Sequence, residues 1–505
     1  MTDYPNPLVP GFHPDPSAVR VGDTWYLATS TFEYLPGIPI HRSTDFVTWE
    51  LIGHVATRPG QLGVEDVRTA GGAWAPTLRR HRDGVFHLVV TDAMGRGMLH
   101  FTATDPAGPW SDGDLITDSE GRASLNGIDP DIAWDADGVA VITYSGLILG
   151  GEGAGRHLGI LQARVDLDTH RALEEPRSLW SGTGGQFPEA PHLYEIDGRW
   201  YLLIAEGGTE RGHGVSIARA DRPEGPFETG PANPIVSARS TIRPVQNTGH
   251  GDLVIGPDGE WLCVLLGVRP RSMTRAFSAL GRETFVTRVQ WHADGWPTME
   301  PVTLNPRSGT RVDVTFSPEV PLDGEWITPR RLPTELADLT TRPGWLVLRA
   351  DGSSLDDPRP VFVGRRQEHL TQSTSLDLDC TAGVGGLAVR YDESFHVEVE
   401  AGAGRIVARA NVAGLVQEWA ASVDTDRVTL HIESRRPDIE GGFARTSDVF
   451  HLAATVDGRR IDLAEVDGRF LSSETAESFT GRVVGVYARE GRVDAANWTS
   501  EGDDA

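Results

Sequence analysis

The chain has 505 residues, 39% of them hydrophobic and 23% charged, with 58 glycines and 33 prolines. That length predicts two or three domains, and the glycine and proline content suits a turn-rich β architecture. The formal net charge of −26 argues against nucleic-acid backbones and anionic membranes as partners, and mildly for a neutral or cationic substrate.

The N-terminal MTDYPNPLVPGF has neither a basic n-region nor an apolar h-region, and no apolar run approaches about eighteen residues. No secretory signal and no membrane span are therefore expected, and a cytoplasmic location is. Cys263 and Cys380 lie far apart in sequence. Two buried free thiols are expected rather than a disulfide, which fits a reducing compartment.

A strand–turn–strand unit then recurs. Asp15-Pro-Ser-Ala-Val leads to Gly22-Asp23 and TWYLATS. Trp74-Ala-Pro-Thr-Leu leads to Asp83-Gly84 and FHLVV, and Asp129-Pro-Asp-Ile-Ala leads to Asp137-Gly138 and VAVITYS. Glu189-Ala-Pro-His-Leu leads to Asp197-Gly198 and RWYLLI, and His250-Gly-Asp-Leu-Val leads to Asp258-Gly259 and EWLCVLL. Asp-Gly between apolar runs is a hairpin signal. Five copies about sixty residues apart predict a five-bladed β-propeller, in which the first strand of each blade faces the axis. The repeat then brings Asp15, Trp74, Asp129, Glu189 and His250 to one rim of one channel, and three of these five are acids.

Further strands are expected between the hairpins, at Ile38–Ser43, Gly97–Thr104, Gly159–Val165 and Val215–Arg219. Trp49, Trp110 and Phe227 read as packing between blades. Arg79–Arg82 reads as a solvated turn, and Glu206, at the far end of a second strand, as structural. Gly150–Gly155 opens no helix, so it is not a phosphate loop.

The propeller is assigned to residues 1–316. A proline-rich stretch, 317–339, reads as a linker. In 340–505 the pattern changes to short alternating strands, GLAVRYD, FHVEVEA, GRIVARANV, RVTLHIES, VFHLAATVD and RVVGVYAR. These predict an antiparallel β-sandwich of jelly-roll or lectin-like type. The whole chain is thus all-β with no long amphipathic helix, and its acidic tail, EGDDA, is expected to be disordered.

Two acids facing a sugar-sized cleft can split a glycosidic bond. One must stay protonated to donate to the leaving oxygen, and the other must stay ionised to activate water. A third carboxylate raises the pKa of the acid by like-charge repulsion. Asp15, Asp129 and Glu189 supply three. His250 and Arg282 would contact hydroxyls, and Trp74 would offer an apolar sugar face a platform.

The stretches NPLVPGFHPDPS, STFEYLPGIPIHRSTDFVTWELIGH, GGAWAPTLR, NGIDPDIAWDADG, EAPHLYEIDGRWYLLIAEGGT, GHGDLV and LGRETF together resemble glycoside hydrolase family 43. The resemblance is to its β-xylosidase and α-L-arabinofuranosidase branch. GRRQEH and FTGRVVGVYA resemble the sandwich domain that accompanies that branch. The resemblance implies an enzyme that releases terminal xylose or arabinose from short oligosaccharides by inverting single displacement, with β-xylosidase activity favoured over α-L-arabinofuranosidase activity. It implies Asp15 as general base, Asp129 as pKa modulator and Glu189 as general acid. Arg282 resembles the arginine that binds substrate hydroxyls, and Phe32 and Trp74 the apolar walls of the terminal-sugar subsite. Phe479 resembles an aromatic that the sandwich presents toward the cleft. His250 resembles a central histidine that in some members lies near a calcium ion or binds it through water. No cofactor is required, and a structural calcium and a homo-oligomer stay open. Ala73 and Asp131 depart from the usual pattern, and Asp131 adds a fourth acid nearby.

Two rival readings remain. Fructan- and sucrose-cleaving retaining enzymes share the architecture, but this chain has His13-Pro-Asp-Pro in place of their Asn-Asp-Pro-Asn signature. A non-catalytic sugar-binding propeller is opposed by the presence of all three carboxylates.

Overall fold

The computed structural model describes residues 3–437 and 444–504. Five separate antiparallel sheets form blades I to V, each ordered from an inner to an outer strand. Their inner strands are Ser17–Val21, Gly72–Arg80, Ile128–Trp134, Glu189–Ile196 and Gln246–Ile255. Each inner strand touches the next, and the fifth touches the first, so the ring is closed. The closure is latched by the N-terminal segment. Leu8 N–H donates to the Thr284 carbonyl at 2.7 Å. The Asn6 side chain both accepts from Val286 N–H at 2.8 Å and donates to its carbonyl at 2.9 Å, standing in for a strand.

The mouths of the inner strands are irregular in a repeated way. Register shifts fall at Trp74/Thr77, Ile128/Asp131, Glu189/His192 and Gly249/Gly251. At the same level of each blade one non-glycine residue has positive φ: Asp15 (55°), Ala75 (47°), Asp129 (53°), Ala190 (51°) and His250 (50°). A bulge of this kind re-aims a side chain, and left-handed backbone is held only where surrounding structure enforces it. The blades use it to turn their leading residues toward the axis.

Away from the mouths the strands alternate in the ordinary way. Leu78, Leu88, Val90, Leu99 and Phe101 fill the apolar layer in and around blade II. Trp110 packs in the same layer, Trp49 against the cluster around Phe46, and Phe227 against Leu202 and Ile204. Cys263 and Cys380 are both buried and unpaired.

The second domain is a single eleven-stranded antiparallel sheet folded into a sandwich. It is built on two long strands, Thr371–Arg390 and Val483–Asp503, which pair along their length with three register shifts. One core, including Leu387, Val397, Leu430, Val486 and Trp498, fills it. Helix is negligible among the described residues: Pro333–Leu336 and Ser473–Ala476 are four residues each. No helix among the described residues is long and apolar enough to cross a membrane.

Three boundary readings change. Thr310–Val314, inside the stretch assigned to the propeller, pairs with Trp498–Gly502 and belongs to the sandwich sheet. The expected linker is a wedge: Thr328–Pro329 pairs with Tyr34–Leu35 of the propeller, and Ile327 bridges to Gly364 of the sandwich. Trp326 and Ile327 are buried there. The acidic tail is ordered through Asp504. Its carboxylate meets Arg269 of blade V at 2.7 Å and accepts from Leu370 N–H at 2.9 Å. An acidic tail stays loose only where no cation waits for it, and here the two domains present one between them.

Candidate active site

All eight residues singled out from the sequence line one cavity of about 70 Å³: Asp15, Phe32, Trp74, Asp129, Glu189, His250, Arg282 and Phe479. Ile128, Thr209 and His213 complete it. Seven of the eight come from the propeller. Phe479, 38% exposed, comes from the sandwich and stands 6.3 Å from the Phe32 ring and 5.6 Å from Trp74, centroid to centroid.

Two close approaches between backbones make this wall. Phe32 and Ala73 exchange hydrogen bonds at 3.1 and 3.0 Å. A Cβ on Gly72 (φ +92°) would lie 2.3 Å from the Phe32 carbonyl oxygen, so only glycine serves there. Gly281 (φ +77°) likewise lets the Thr480 carbonyl approach to where its Cβ would be, 2.4 Å away. That contact sets Arg282, the next residue, beneath Phe479. The Arg282 guanidinium lies 5.2 Å from the Phe479 centroid and 5.6 Å from that of Phe32. It donates to Asp15 at 3.2 Å and to Thr209 Oγ1 at 3.0 Å.

The three carboxylates differ in environment. Asp15 is 5% exposed, and burial alone would raise its pKa. Arg282 at 3.2 Å, His250 at 3.3 Å and the Ser30 hydroxyl at 2.6 Å outweigh that and hold it below the ordinary aspartate value. Ser30 is itself held, because its Oγ accepts from Ala75 N–H at 2.7 Å. Asp129 has one close donor, Ala190 N–H at 3.1 Å, and burial together with the charge of Asp15 pushes it up to about 7. Half-buried Glu189 is pushed well above the ordinary glutamate value by desolvation first, then by Asp129 and Asp15. Asp15 is therefore the acid that keeps its charge to lower pH, and Glu189 the one that keeps its proton to higher pH.

The sequence model described as "Glycosyl hydrolases family 43" matches residues 4–297, and that of a "Beta xylosidase C-terminal Concanavalin A-like domain" matches 314–499. A non-reducing end alpha-L-arabinofuranosidase of Bacteroides ovatus is 33% identical over 96% of this chain and 91% of its own. A beta-xylosidase of Bacillus subtilis is 32% identical over 72% of each. The crystal structure of a xylan beta-1,4-xylosidase from Bacillus halodurans superposes with a TM-score of 0.87, at 29% identity, covering 99% of this chain and 100% of that one. The chain belongs to glycoside hydrolase family 43.

Below the pocket, this family 43 hydrolase fills its channel with a second layer. Arg79, expected on a solvated turn, instead points into the axis. It donates to Asp252 at 2.7 and 3.1 Å, to Asp131 at 3.0 Å and to Ser17 at 3.1 Å. Asp252 also accepts from Ser17 and Tyr194, at 2.8 and 2.5 Å, and Asp131 from Leu193 N–H at 2.9 Å. Each blade contributes to this layer: Ser17, Arg79, Asp131, His192 with Tyr194, and Asp252. Asp131, flagged as a fourth acid, belongs to this layer rather than to the pocket. Glu206 accepts from the Thr183 backbone and hydroxyl at 2.7 and 2.8 Å, and does not line the cavity.

Sequence reasoning missed Ser30, Thr209 and His213, for which a single chain gives no repeat signal. His213 Nδ1 lies 2.9 Å from the Asn247 carbonyl, and burial lowers its pKa to about 4. Burial likewise lowers His250 to about 3, so both imidazoles are neutral. His250 Nδ1 lies 3.3 Å from Asp15 Oδ1, and its ring lies 6.5 Å from that of His192.

Proposed function

We propose that this glycoside hydrolase acts from the chain end on short oligosaccharides, releasing one pentose at a time with inversion. In this reading Asp15 takes a proton from the attacking water, and Glu189 donates its proton to the leaving oxygen. Burial first, and then the charge of Asp129, helps Glu189 hold that proton. Phe32, Trp74 and Phe479 pack against the terminal ring, and Arg282 donates to its hydroxyls. The observation that carries the reading is the meeting of Asp15, Asp129 and Glu189 in one pocket with Asp15 paired to Arg282, an arrangement that favours the charge on Asp15 and the proton on Glu189. The sandwich residue Phe479 on the pocket wall supports exo-action, because it narrows the cleft toward a pocket.

β-Xylosidase activity is favoured over α-L-arabinofuranosidase activity. The relatives named above include both, and the arabinofuranosidase is the reason the second activity stays as the alternative. A reducing cytoplasm is the proposed location, supported by two buried unpaired thiols. Initial rates on aryl β-xyloside and aryl α-arabinofuranoside decide the pentose. NMR of the first-formed anomer decides the stereochemistry: retention would overturn the mechanism, and mixed long products from xylan would overturn exo-action.

A further inference from the structure

The hairpin between the inner strand of blade II, Gly72–Arg80, and its neighbour Phe86–Ala93 carries a side-chain cluster that the catalytic pocket does not use. His81 and Asp83 lie on its turn, and His87 lies one residue into the next strand. One ligand atom from each of the three can be chosen so that all lie within 4.8 Å of one another. His81 Nδ1 is 2.9 Å from Asp83 Oδ2. Val85 N–H donates to the other oxygen, Oδ1, at 2.9 Å and fixes the carboxylate in that direction. Trp134 closes one side, with its ring 4.7 Å from His81 and 5.1 Å from His87.

His87 is the second, independent observation. It is 8% exposed, and its Nε2 is buried without a hydrogen-bond partner among the described residues. Buried polar atoms are normally satisfied, so an orphan calls for a partner the protein itself does not supply. The other nitrogen is held: His87 Nδ1 lies 2.9 Å from His100 Nε2, and His100 Nδ1 lies 3.0 Å from His170 Nε2. An imidazole whose far nitrogen is tied to a second partner, leaving one bare nitrogen, is the arrangement of a metal-bound histidine.

We propose that His81, Asp83 and His87 form a zinc site, with water completing the coordination, that clamps this hairpin. Two imidazoles and one carboxylate suit zinc, whereas calcium and magnesium take oxygen sets. Donors sharing one tetrahedral zinc stand about 3.3 Å apart, given zinc–ligand bonds of about 2.0–2.1 Å. Rotation of partly buried His81 against the fixed Asp83 carboxylate closes the remaining spread. Nε2 of His87 is free to bind a metal when the ring proton sits on Nδ1 and is donated to His100 Nε2, 2.9 Å away. The site lies outside the pocket, so its occupancy adds stability and leaves hydrolysis unchanged.

The test is a titration of the tag-free full chain, stripped with EDTA, with zinc chloride by calorimetry. The expected result is one tight equivalent, a higher thermal midpoint with zinc, and unchanged turnover of an aryl pentoside. Calcium chloride should not compete with zinc for this site. The double variant His81→Ala/Asp83→Asn touches only the exposed turn and leaves buried His87 in place. It should keep the metal-free midpoint and turnover, bind zinc at least about tenfold more weakly, and lose the zinc-dependent shift. Zinc binding of equal strength in the double variant overturns the proposal, as does the absence of binding. Stoichiometric inhibition of hydrolysis also overturns it, because that would move the metal to the imidazoles around the catalytic pocket.

Discussion

Asp129 and Asp131 stand two residues apart on one inner strand, yet they meet opposite electrostatics. Asp129, at the rim, has a single backbone donor and a neighbouring carboxylate, and is pushed up to about 7. Asp131, one layer deeper, is paired with Arg79 at 3.0 Å and accepts from Leu193 N–H. The same contrast separates Glu189 from Asp252, which Arg79, His192 and Tyr194 hold down to about 2 against its burial. The rim gathers acids with too few cations, and the layer beneath gives its acids a full complement. Uncompensated burial sets protonation for chemistry, and compensated burial holds five blades together.

The contrast is sharpest if changes at the rim cost activity while changes one layer down cost stability. Asp15→Ala should remove about 10³–10⁴ from kcat on aryl and natural substrates alike, because water attack needs its base in both. Glu189→Ala should cost a comparable factor on a disaccharide and far less on an aryl glycoside, whose leaving group scarcely needs a proton. Equal losses on the two substrates would remove Glu189 from the role of acid. The urea midpoint of Glu189→Ala should not fall below that of the parent.

Arg79→Met should do the reverse. It strands two buried carboxylates and should cost about 3–5 kcal/mol of unfolding free energy by urea titration. Arg79→Lys keeps the charge but loses the fork, and should cost less. A parent-like midpoint in Arg79→Met would break the comparison.

Asp129→Asn should move both quantities, modestly. A buried acid raised to about 7 favours the folded state while protonated, and that contribution is lost as pH rises from about 4 through about 7. The Asp129→Asn variant should therefore be more stable than the parent at pH 8, by about 1 kcal/mol or more, with the gap closing below pH 4. Asp252 has the opposite sign, since its contribution is complete above about pH 4 and fades as pH falls through about 2. In the rate profile, losing the Asp129 charge lowers the Glu189 pKa, so the alkaline limb should shift to lower pH. Desolvation is the larger cause for Glu189, so the shift should be partial.

Phe479→Ala should have the smallest effect. It removes one wall of the pocket and should raise KM several-fold with little change in kcat, about 1 kcal/mol of uniform binding. A collapse of kcat instead would place Phe479 in the transition state's own contacts.

The five-copy repeat, the acids at its mouths and the change to a sandwich were legible in the chain because each rests on local pattern. Asp-Gly turns, period-2 alternation and equal spacing are properties of neighbouring residues, and symmetry carries the leading residues to one axis. Arg79 was not legible. It sits in the polar run RRHRDG, and only ring closure brings Asp131 and Asp252 to it, 52 and 173 residues away. Phe479 had no local signal for its reach, because Arg282, 197 residues earlier, meets it through an inter-domain contact at Gly281. Thr310–Val314 joins the sandwich, and Asp504 is ordered, for the same reason: their partners are the end of the chain and Arg269. Local pattern determined which acids face the channel. Long-range pairing decided which of them find a cation, as Asp15 does in Arg282, and which are left to hold a proton, as Glu189 is.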